Sequence, residues 1–181
     1  MKHDRNGQAA ILTQVQIDDL FAEFSPKWRA VFGTCYYLAP RIGETIQLEA
    51  RDRRMTPEGE RMIFRAATTK TKKSRDLRLS PKLAALLDAA ELPDEGYLFP
   101  GRNGGHLRRR SADKMLREKC DYLGIEGAST HSFRRTAITN LFRQGVPMRT
   151  IQAWTGHASL SNLALYCEVN QAEVDALADL L

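Results

Sequence analysis

Residues 49–80 differ in character from the rest of the chain and limit the folds that it can adopt. Arg61–Thr69 (RMIFRAATT) alternates weakly between apolar and polar residues and is rich in β-branched and aromatic types, and Asp76–Leu79 alternates again. Turn-forming residues separate these runs, at Pro57–Gly59 and in the KTKKS run Lys70–Ser74. The pattern predicts a small antiparallel sheet with Lys70–Ser74 at a hairpin tip.

Helical spacing and helix start and stop signals occupy the sequence on both sides of this stretch. Thr13 is placed to cap a helix that runs to about Phe24, and Ser25-Pro26 begins a second one that ends near Leu38. Pro40 interrupts the helical pattern, and a short helix, IGETIQL, is predicted after it. Further helices are predicted over Pro81–Ala90, Arg110–Leu123, Ser132–Arg143, Met148–Trp154, Leu160–Val169 and Gln171–Leu181. The expected fold class is α+β, mostly helical with a small antiparallel three-stranded sheet.

Length and composition fit a single folded domain over residues 1–181. Hydrophobic residues make up 43% and charged residues 27%, which are ordinary values for a globular protein. The longest apolar stretch, near Val31–Ala39, is too short to span a bilayer, and the N-terminal MKHDRNGQAA lacks the apolar part of a secretory signal. The three cysteines lack metal-site spacing and are expected to be reduced thiols. We therefore expect a cytoplasmic protein without a membrane partner.

The charge is unevenly distributed. The net charge is +5, but Lys70–Arg78 alone carries five basic residues against one acid, and Arg102–Lys119 carries seven against two. The segment Glu168–Leu181 holds four acids and no lysine or arginine. This uneven distribution of charge favours an acidic partner, although solvated surface faces would give the same pattern.

Several polar residues are candidates for chemistry, but each one taken alone has an ordinary structural interpretation. An arginine with an acid three residues on is commonly a surface ion pair, and a lysine in a turn is commonly only solvated. A histidine near a helix start is commonly structural, and a tyrosine among leucines commonly belongs to the core. The residues concerned are Arg41, Glu44, Lys70, His131, Arg134, His157 and Tyr166.

Taken together and in order, these residues resemble the signature of the tyrosine recombinases, the phage integrase family. That signature is an arginine with an acid three residues on, a hairpin lysine, H-x-x-R, a Gly-His pair and a tyrosine about nine residues later. The matching stretches are PRIGE, TKTKKSRDLRLS, THSFRRTAITNLFRQG and IQAWTGHASLSNLALY. The resemblance covers about Thr13 to Val169 and implies the fold of the family's catalytic domain.

The resemblance also implies a reaction. The family cuts and rejoins DNA strands through a 3′-phosphotyrosyl intermediate, in site-specific recombination or integration of mobile elements, with no cofactor and no metal. Alternatives are a non-catalytic DNA-binding regulator and a type IB topoisomerase-like activity. The implied catalytic residues are Arg41, Lys70, His131, Arg134, His157 and Tyr166, with Glu44 orienting Arg41 or the hairpin.

The chemistry suggests a role for each implied residue. A phosphodiester gains negative charge in its transition state, which Arg41 and Arg134 would stabilise because guanidinium groups stay charged and bind two oxygens at once. His157 would donate a hydrogen bond to another phosphate oxygen. A tyrosine hydroxyl has a pKa near 10, so it needs a base, for which His131 is the candidate. Lys70 is the candidate acid for the leaving 5′-oxygen.

The implied partner is double-stranded DNA, with the protein associated with the nucleoid when bound. Basic residues outside the signature are predicted to contact DNA: Lys72, Lys73, Arg75, Arg108, Arg109, Arg110 and Arg135.

The sequence departs from the family pattern in three places. Pro40 precedes Arg41, where a small residue is more usual, and Trp154-Thr155 stands where leucines are usual. Typical members also carry a helical core-binding domain before the catalytic domain, whereas only twelve residues precede Thr13 here. We therefore expect a catalytic domain with no N-terminal core-binding domain.

The C-terminal tail, residues 170–181, has an apolar face formed by Val174, Leu177, Ala178 and Leu181. In the family, the segment after the tyrosine often docks on a neighbouring subunit. We expect self-association on DNA through this tail, and a tail folded back on its own chain in an isolated monomer.

Overall fold

The computed structural model describes residues 8–102, 104–164, 166 and 178, which hold eight α-helices and one sheet. The fold class predicted from the sequence, α+β and mostly helical with a three-stranded antiparallel sheet, is confirmed. The helices are α1 (Gln14–Glu23), α2 (Pro26–Tyr37), α3 (Ile42–Thr45), α4 (Pro81–Asp88), α5 (Arg109–Leu123), α6 (Thr130–Arg143), α7 (Met148–Thr155) and α8 (Leu160–Ala164). The strands are β1 (Arg53–Thr56), β2 (Gly59–Phe64) and β3 (Arg75–Arg78), and 3₁₀ turns cover Ala50–Asp52 and Ala66–Thr68.

Local signals set several helix ends. The Thr13 hydroxyl accepts a hydrogen bond from the Gln16 N–H at 3.2 Å, and the Gln16 side chain accepts one from the Thr13 N–H at 3.0 Å. This reciprocal capping satisfies two donors at the start of α1 that have no partner within the helix. Pro26 occupies the first turn of α2, where no backbone N–H is needed.

The sheet has the order β1-β2-β3, and both pairs are antiparallel. Met62 and Phe64 on the central strand are fully buried and turn to the core. The strand predicted over Arg61–Thr69 was too long, because β2 ends at Phe64 and a 3₁₀ turn follows. The Arg65 side chain pairs with Glu49 and Asp52, at 2.7 and 3.1 Å, and draws the chain away from the strand direction.

The main core lies around α2, which packs against α4 on one side and α6 on the other. Phe32 of α2 stacks between Phe24 and Phe133, with ring centroids 4.7 and 5.1 Å apart. Burial of a phenylalanine contributes about 1.5–3 kcal/mol, so this stack is a substantial part of what holds α6 against α2.

A second, smaller apolar cluster holds the end of the described chain. Ile138 of α6, Ile151 of α7 and Leu163 of α8 are buried together, and Tyr166 packs against them. The predicted helix Leu160–Val169 is present over Leu160–Ala164. Its remainder and the predicted tail helix Gln171–Leu181 lie outside the described residues, apart from Tyr166 and Ala178.

Candidate active site

Arg134 lies at the centre of the site and joins three elements. It is on α6 and only 2% exposed. One guanidinium nitrogen donates to the Ala39 carbonyl, and the other donates to the Thr155 carbonyl at 3.3 Å. Ala39 has a positive φ of 48°, directly before Pro40, and this turn aims its carbonyl at the guanidinium. Burial, and then the charge of Arg41, lower the pKa of Arg134 to about 10, so it is a cation at neutral pH.

Arg41 and Glu44 form the second part of the site, at the start of α3. The Glu44 carboxylate accepts from the Arg41 guanidinium at 3.0 Å and from the Arg41 backbone N–H at 3.3 Å. Glu44 is buried, whereas the Arg41 side chain is 26% exposed. The carboxylate therefore holds Arg41 from within and leaves part of the guanidinium open to an incoming anion.

Arg75 lies inside the site and not on the surface. Its guanidinium donates to Glu44 Oε2 at 2.5 Å and to the Trp154 carbonyl at 3.1 Å, and the residue is 8% exposed. Arg135 is similarly buried and donates to the Ala9 carbonyl at 2.9 Å. Both guanidinium groups are buried in this structure, and DNA contact by Arg75 and Arg135 stays a prediction. The sequence showed only a charge run at Arg75, and no signal in it identified Glu44 as a partner.

His157 follows α7 and contacts Arg134 directly. The Thr155 hydroxyl donates to the Ile151 carbonyl at 2.7 Å, so it accepts from Nδ1–H of His157 at 2.6 Å. One Arg134 nitrogen lies 3.0 Å from Nε2 and 3.3 Å from Nδ1, so the guanidinium lies over the face of the imidazole. Because Nδ1 carries the proton in this arrangement, donation from Nε2 to a phosphate oxygen requires the other tautomer.

The environment keeps His157 neutral. Burial, followed by the charges of Arg134, Arg41 and Arg75, lowers the pKa of His157 to about 3. The imidazole is 8% exposed and faces a cluster of arginines, which disfavours a further positive charge. At neutral pH the ring acts through a hydrogen bond and not through charge.

This lowered pKa predicts a pH dependence of stability. The ordinary value is 6.5, so between pH 6.5 and 3 the unfolded state binds more protons at His157 than the folded state does. The contribution is complete above pH 6.5 and is lost as the pH falls, by at most about 1.4 kcal/mol per unit. We expect His157→Asn to flatten the fall of the free energy of unfolding, measured by urea titration, between pH 6.5 and 4. If the free energy of unfolding falls equally steeply with pH in the variant and the wild type, His157 is not the cause of the pH dependence.

Tyr166 lies beside His157. Their ring centroids are 5.7 Å apart, and the Tyr166 ring is half-buried. The Tyr166 N–H donates to the Leu163 carbonyl at 2.9 Å, and its own carbonyl accepts from the Thr139 hydroxyl of α6 at 3.3 Å. These two hydrogen bonds hold the Tyr166 backbone against α6 and the end of α8.

His131 and Lys70 are both exposed. His131 is the second residue of α6, and its N–H donates to the Ser129 hydroxyl at 3.3 Å. Lys70 lies in the turn that follows the Ala66–Thr68 3₁₀ turn. Five of the residues predicted to contact DNA are exposed as well: Lys72, Lys73, Arg108, Arg109 and Arg110.

Gly156 ends α7 and makes room for Arg75. Its φ is +70°, and a Cβ there would lie 2.7 Å from Cδ and 2.9 Å from Nε of Arg75, whose guanidinium is held at its far end. Gly124 ends α5 at a φ of +66° with nothing within 4 Å of such a Cβ. Both substitutions to alanine cost backbone strain, but only one also crowds the site.

We expect Gly156→Ala to lower the free energy of unfolding by about 2–5 kcal/mol, against about 1–2 kcal/mol for Gly124→Ala. The measurement is urea unfolding of the two variants beside the wild type. Equal losses would show that Arg75 moves aside without cost.

In the described part of the chain, no group of three or more His, Cys, Asp or Glu side chains is arranged to hold a metal ion. Cys35 and Cys120 are free and buried, and burial raises the pKa of Cys35 to about 12 and that of Cys120 to about 11. No helix within the described ranges is both long enough and apolar enough to cross a membrane.

Comparison with known proteins places this arrangement in a family. Residues 10–173 match the family model described as the phage integrase family. Putative integrase/recombinase y4qK of Sinorhizobium fredii is 34% identical over 154 residues, 83% of this chain and 49% of that protein. Tyrosine recombinase XerC of Nitrobacter winogradskyi is 31% identical over 148 residues, 78% and 45% of the two chains.

Solved structures share the fold. The XerA recombinase superposes with a TM-score of 0.75 at 20% identity, covering 94% of this chain and 65% of that one. The XerH site-specific recombinase, in a pre-cleavage complex with its difH substrate, superposes with a TM-score of 0.73 at 18% identity. The match covers 92% of this chain and 52% of that one. The chain spans about half the length of the curated relatives that it matches. With the family model matched over residues 10–173, this chain belongs to the phage integrase family.

Proposed function

We propose that this chain cuts and rejoins DNA strands as the catalytic part of a tyrosine-type site-specific recombinase or integrase. The observation that carries the proposal is the cluster in which buried Arg134 contacts His157 beside Tyr166, with Arg41 held by Glu44. The charge of Arg41 contributes to the lowered pKa of both Arg134 and His157, so the three groups lie close enough to interact electrostatically. Relatives named as integrases and recombinases support the same reaction.

In the proposed cleavage step, the Tyr166 oxygen attacks the scissile phosphorus and the bond from phosphorus to the 5′-oxygen breaks. His131 accepts the tyrosine proton, and Lys70 gives a proton to the 5′-oxygen, which leaves as a hydroxyl. A 3′-phosphotyrosyl diester forms, so one phosphate ester bond replaces another. The reverse step, with a 5′-hydroxyl from a second strand as nucleophile, rejoins DNA and frees the tyrosine.

The arginines supply the electrostatic part of the proposed mechanism. The phosphorane transition state carries more negative charge than the diester, and Arg41 and Arg134 are cations fixed in advance by Glu44 and by backbone carbonyls. Preorganised donors of this kind lower a barrier because little reorganisation is needed during the reaction.

DNA itself would be held through the exposed basic residues. Lys72 and Lys73 lie near Lys70, and Arg108, Arg109 and Arg110 surround the start of α5. Phosphate contacts from these side chains would be independent of sequence and sensitive to salt, and the bound protein would be found with the nucleoid. The salt dependence of plasmid binding, with and without these side chains, measures their contribution.

We also propose that the tail, residues 170–181, mediates self-association on DNA. An apolar groove of about 550 Å³ lies between α2, α6 and α7, with Tyr36, Leu141, Val146 and Trp154 in its lining. Ala178, which belongs to the apolar face predicted from the sequence of the tail, is exposed. Light scattering with and without DNA decides this, since a DNA-bound dimer that persists after removal of the tail would contradict the proposal.

The test of the proposed reaction is covalent trapping. The protein is incubated with supercoiled plasmid in EDTA at low salt, quenched with SDS, digested with nuclease and trypsin, and analysed by mass spectrometry. No lysine or arginine follows Arg149, so Tyr166 is the single tyrosine in the C-terminal tryptic peptide, residues 150–181. We expect a nucleotide attached to this peptide.

Other outcomes separate the alternatives. Intact DNA binding without any adduct would favour a non-catalytic DNA-binding protein. Relaxation of plasmids of unrelated sequence at equal rates would favour a type IB topoisomerase-like activity over a site-specific recombinase.

A further inference from the structure

We propose that Arg75 is a positioning residue for Lys70. It fixes the base of the Lys70 connection, residues 65–74 between β2 and β3, against Glu44 and the end of α7. The inference rests on the proposed function, in which Lys70 gives a proton to the leaving oxygen.

Both ends of the Lys70 connection meet at Arg75. Arg75 is the first residue of β3 and pairs in register with Phe64, the last residue of β2. Its guanidinium also lies over the Phe64 ring, 4.7 Å from the centroid. Any shift of Arg75 therefore moves the two points at which the connection leaves the sheet.

The same guanidinium is bound to the catalytic cluster. It donates to Glu44 of α3 at 2.5 Å and to the Trp154 carbonyl of α7 at 3.1 Å, and its side chain is 7% exposed. The other Glu44 oxygen accepts from the Arg41 guanidinium. Arg75 thus ties the connection to the carboxylate that holds one phosphate-binding arginine, and it does so with a planar fork that reaches two acceptors on different elements.

Hydrogen bonds within the connection carry this anchoring to Lys70. The Ala66 N–H donates to the Ser74 hydroxyl at 3.2 Å, and the Thr69 hydroxyl donates to the Lys73 carbonyl at 3.0 Å. The Lys72 N–H donates to the Thr69 carbonyl at 3.2 Å. The connection is therefore closed on itself, with Lys70 exposed at its turn and Arg75 next to its last residue.

Charge and geometry are separable at this position. Arg75→Gln removes the cation and the fork, whereas Arg75→Lys keeps a positive charge but cannot reach Glu44 and Trp154 in the same way. A positioning role predicts that both variants are impaired. The matched control is Arg61→Gln, because Arg61 also pairs across β2 and β3, with Asp76 at 2.7 Å, but on the exposed surface.

The first measurement is hydrogen exchange of the full chain without DNA. We expect amides of the Lys70 connection to exchange at least about 10-fold faster in Arg75→Gln and Arg75→Lys than in the wild type, with α2 and α6 unchanged. Arg61→Gln should match the wild type. If α2 and α6 also exchange faster in Arg75→Gln, Arg75→Lys is the deciding variant. Unchanged exchange of the connection in a folded variant overturns the proposal.

The second measurement isolates proton donation. The cleavage site is mapped from the wild-type adduct, and a duplex is made with sulfur in place of the 5′-bridging oxygen, since a thiolate leaves without being protonated. We expect the Arg75 variants to form adducts about 10²-fold more slowly than the wild type with oxygen, but within about 5-fold with sulfur. Equal losses on both substrates overturn the link to Lys70. A wild type without adducts would count against the proposed function, and the exchange data would then decide the anchoring alone.

Discussion

Tyr166→Phe is expected to abolish covalent adducts with DNA while leaving DNA binding nearly unchanged. The substitution removes only the hydroxyl oxygen and keeps the ring that packs beside His157 and against Ile138 and Leu163. Loss of the nucleophile should lower the rate of adduct formation by at least about 10⁴-fold, because phenylalanine has no oxygen that can bond to the phosphorus. Binding depends mainly on phosphate contacts, so the dissociation constant for plasmid DNA should change by less than about threefold.

The control for this prediction is Tyr122→Phe. Tyr122 lies on α5 and is 73% exposed, so the Tyr122→Phe protein should form adducts as fast as the wild type. Adducts that persist in Tyr166→Phe would move the nucleophile to another tyrosine. The tryptic peptide that carries the nucleotide would then distinguish Tyr97, Tyr122 and the pair Tyr36 and Tyr37, which share the peptide of residues 30–41.

Helix ends and short motifs account for the part of the site that could be predicted from sequence. Local signals set the positions of these residues. Arg41 and Glu44 lie at a helix start. Arg134 lies on a helix face, and the Gly-His pair lies at a left-handed turn that ends a helix. Their order along the chain resembled one family, and the structure brings Arg41, Glu44, Arg134, His157 and Tyr166 together.

Arg75 shows what sequence could not settle. Lys70 and Arg75 belong to one basic run, yet one is exposed and the other is buried. The difference arises because β3 carries Arg75 to Glu44, 31 residues earlier in the chain, and to the end of α7. A run of basic residues does not indicate which of them will bind a carboxylate distant in sequence, so Arg75 was predicted to lie on the surface and contact DNA.

The end of β2 was missed for a related reason. The residue types of Arg61–Thr69 favour a strand throughout, but Arg65 pairs with Glu49 and Asp52, which are distant in sequence. A pattern of residue types contains no information about such tertiary contacts, and β-propensity depends strongly on them. The strand is consequently shorter, and the connection that carries Lys70 is longer than a simple hairpin turn.

Substitution of Arg134 is expected to cost most of the activity even when the charge is kept. In Arg134→Lys, one ammonium replaces a fork that donates to the carbonyls of Ala39 and Thr155 and to His157. It cannot hold these acceptors and also meet a phosphate. We expect adduct formation on plasmid DNA to slow by about 10²–10³-fold, the usual cost of a lost transition-state donor. Arg143→Lys, exposed on the same helix, is the control and should leave the rate unchanged.

His157 reports separately on the charge of Arg134. Burial lowers its pKa to about 3 with the help of the Arg134 cation, so Arg134→Gln should raise that pKa and Arg134→Lys should leave it low. Nitrogen-detected NMR of the imidazoles follows the titration in each folded variant. If the pKa of His157 is the same in Arg134→Gln and the wild type, burial and the charges of Arg41 and Arg75 set it without Arg134. If Arg134→Lys keeps the low pKa but loses activity, the directed hydrogen bonds of the guanidinium, and not its charge, are what catalysis requires.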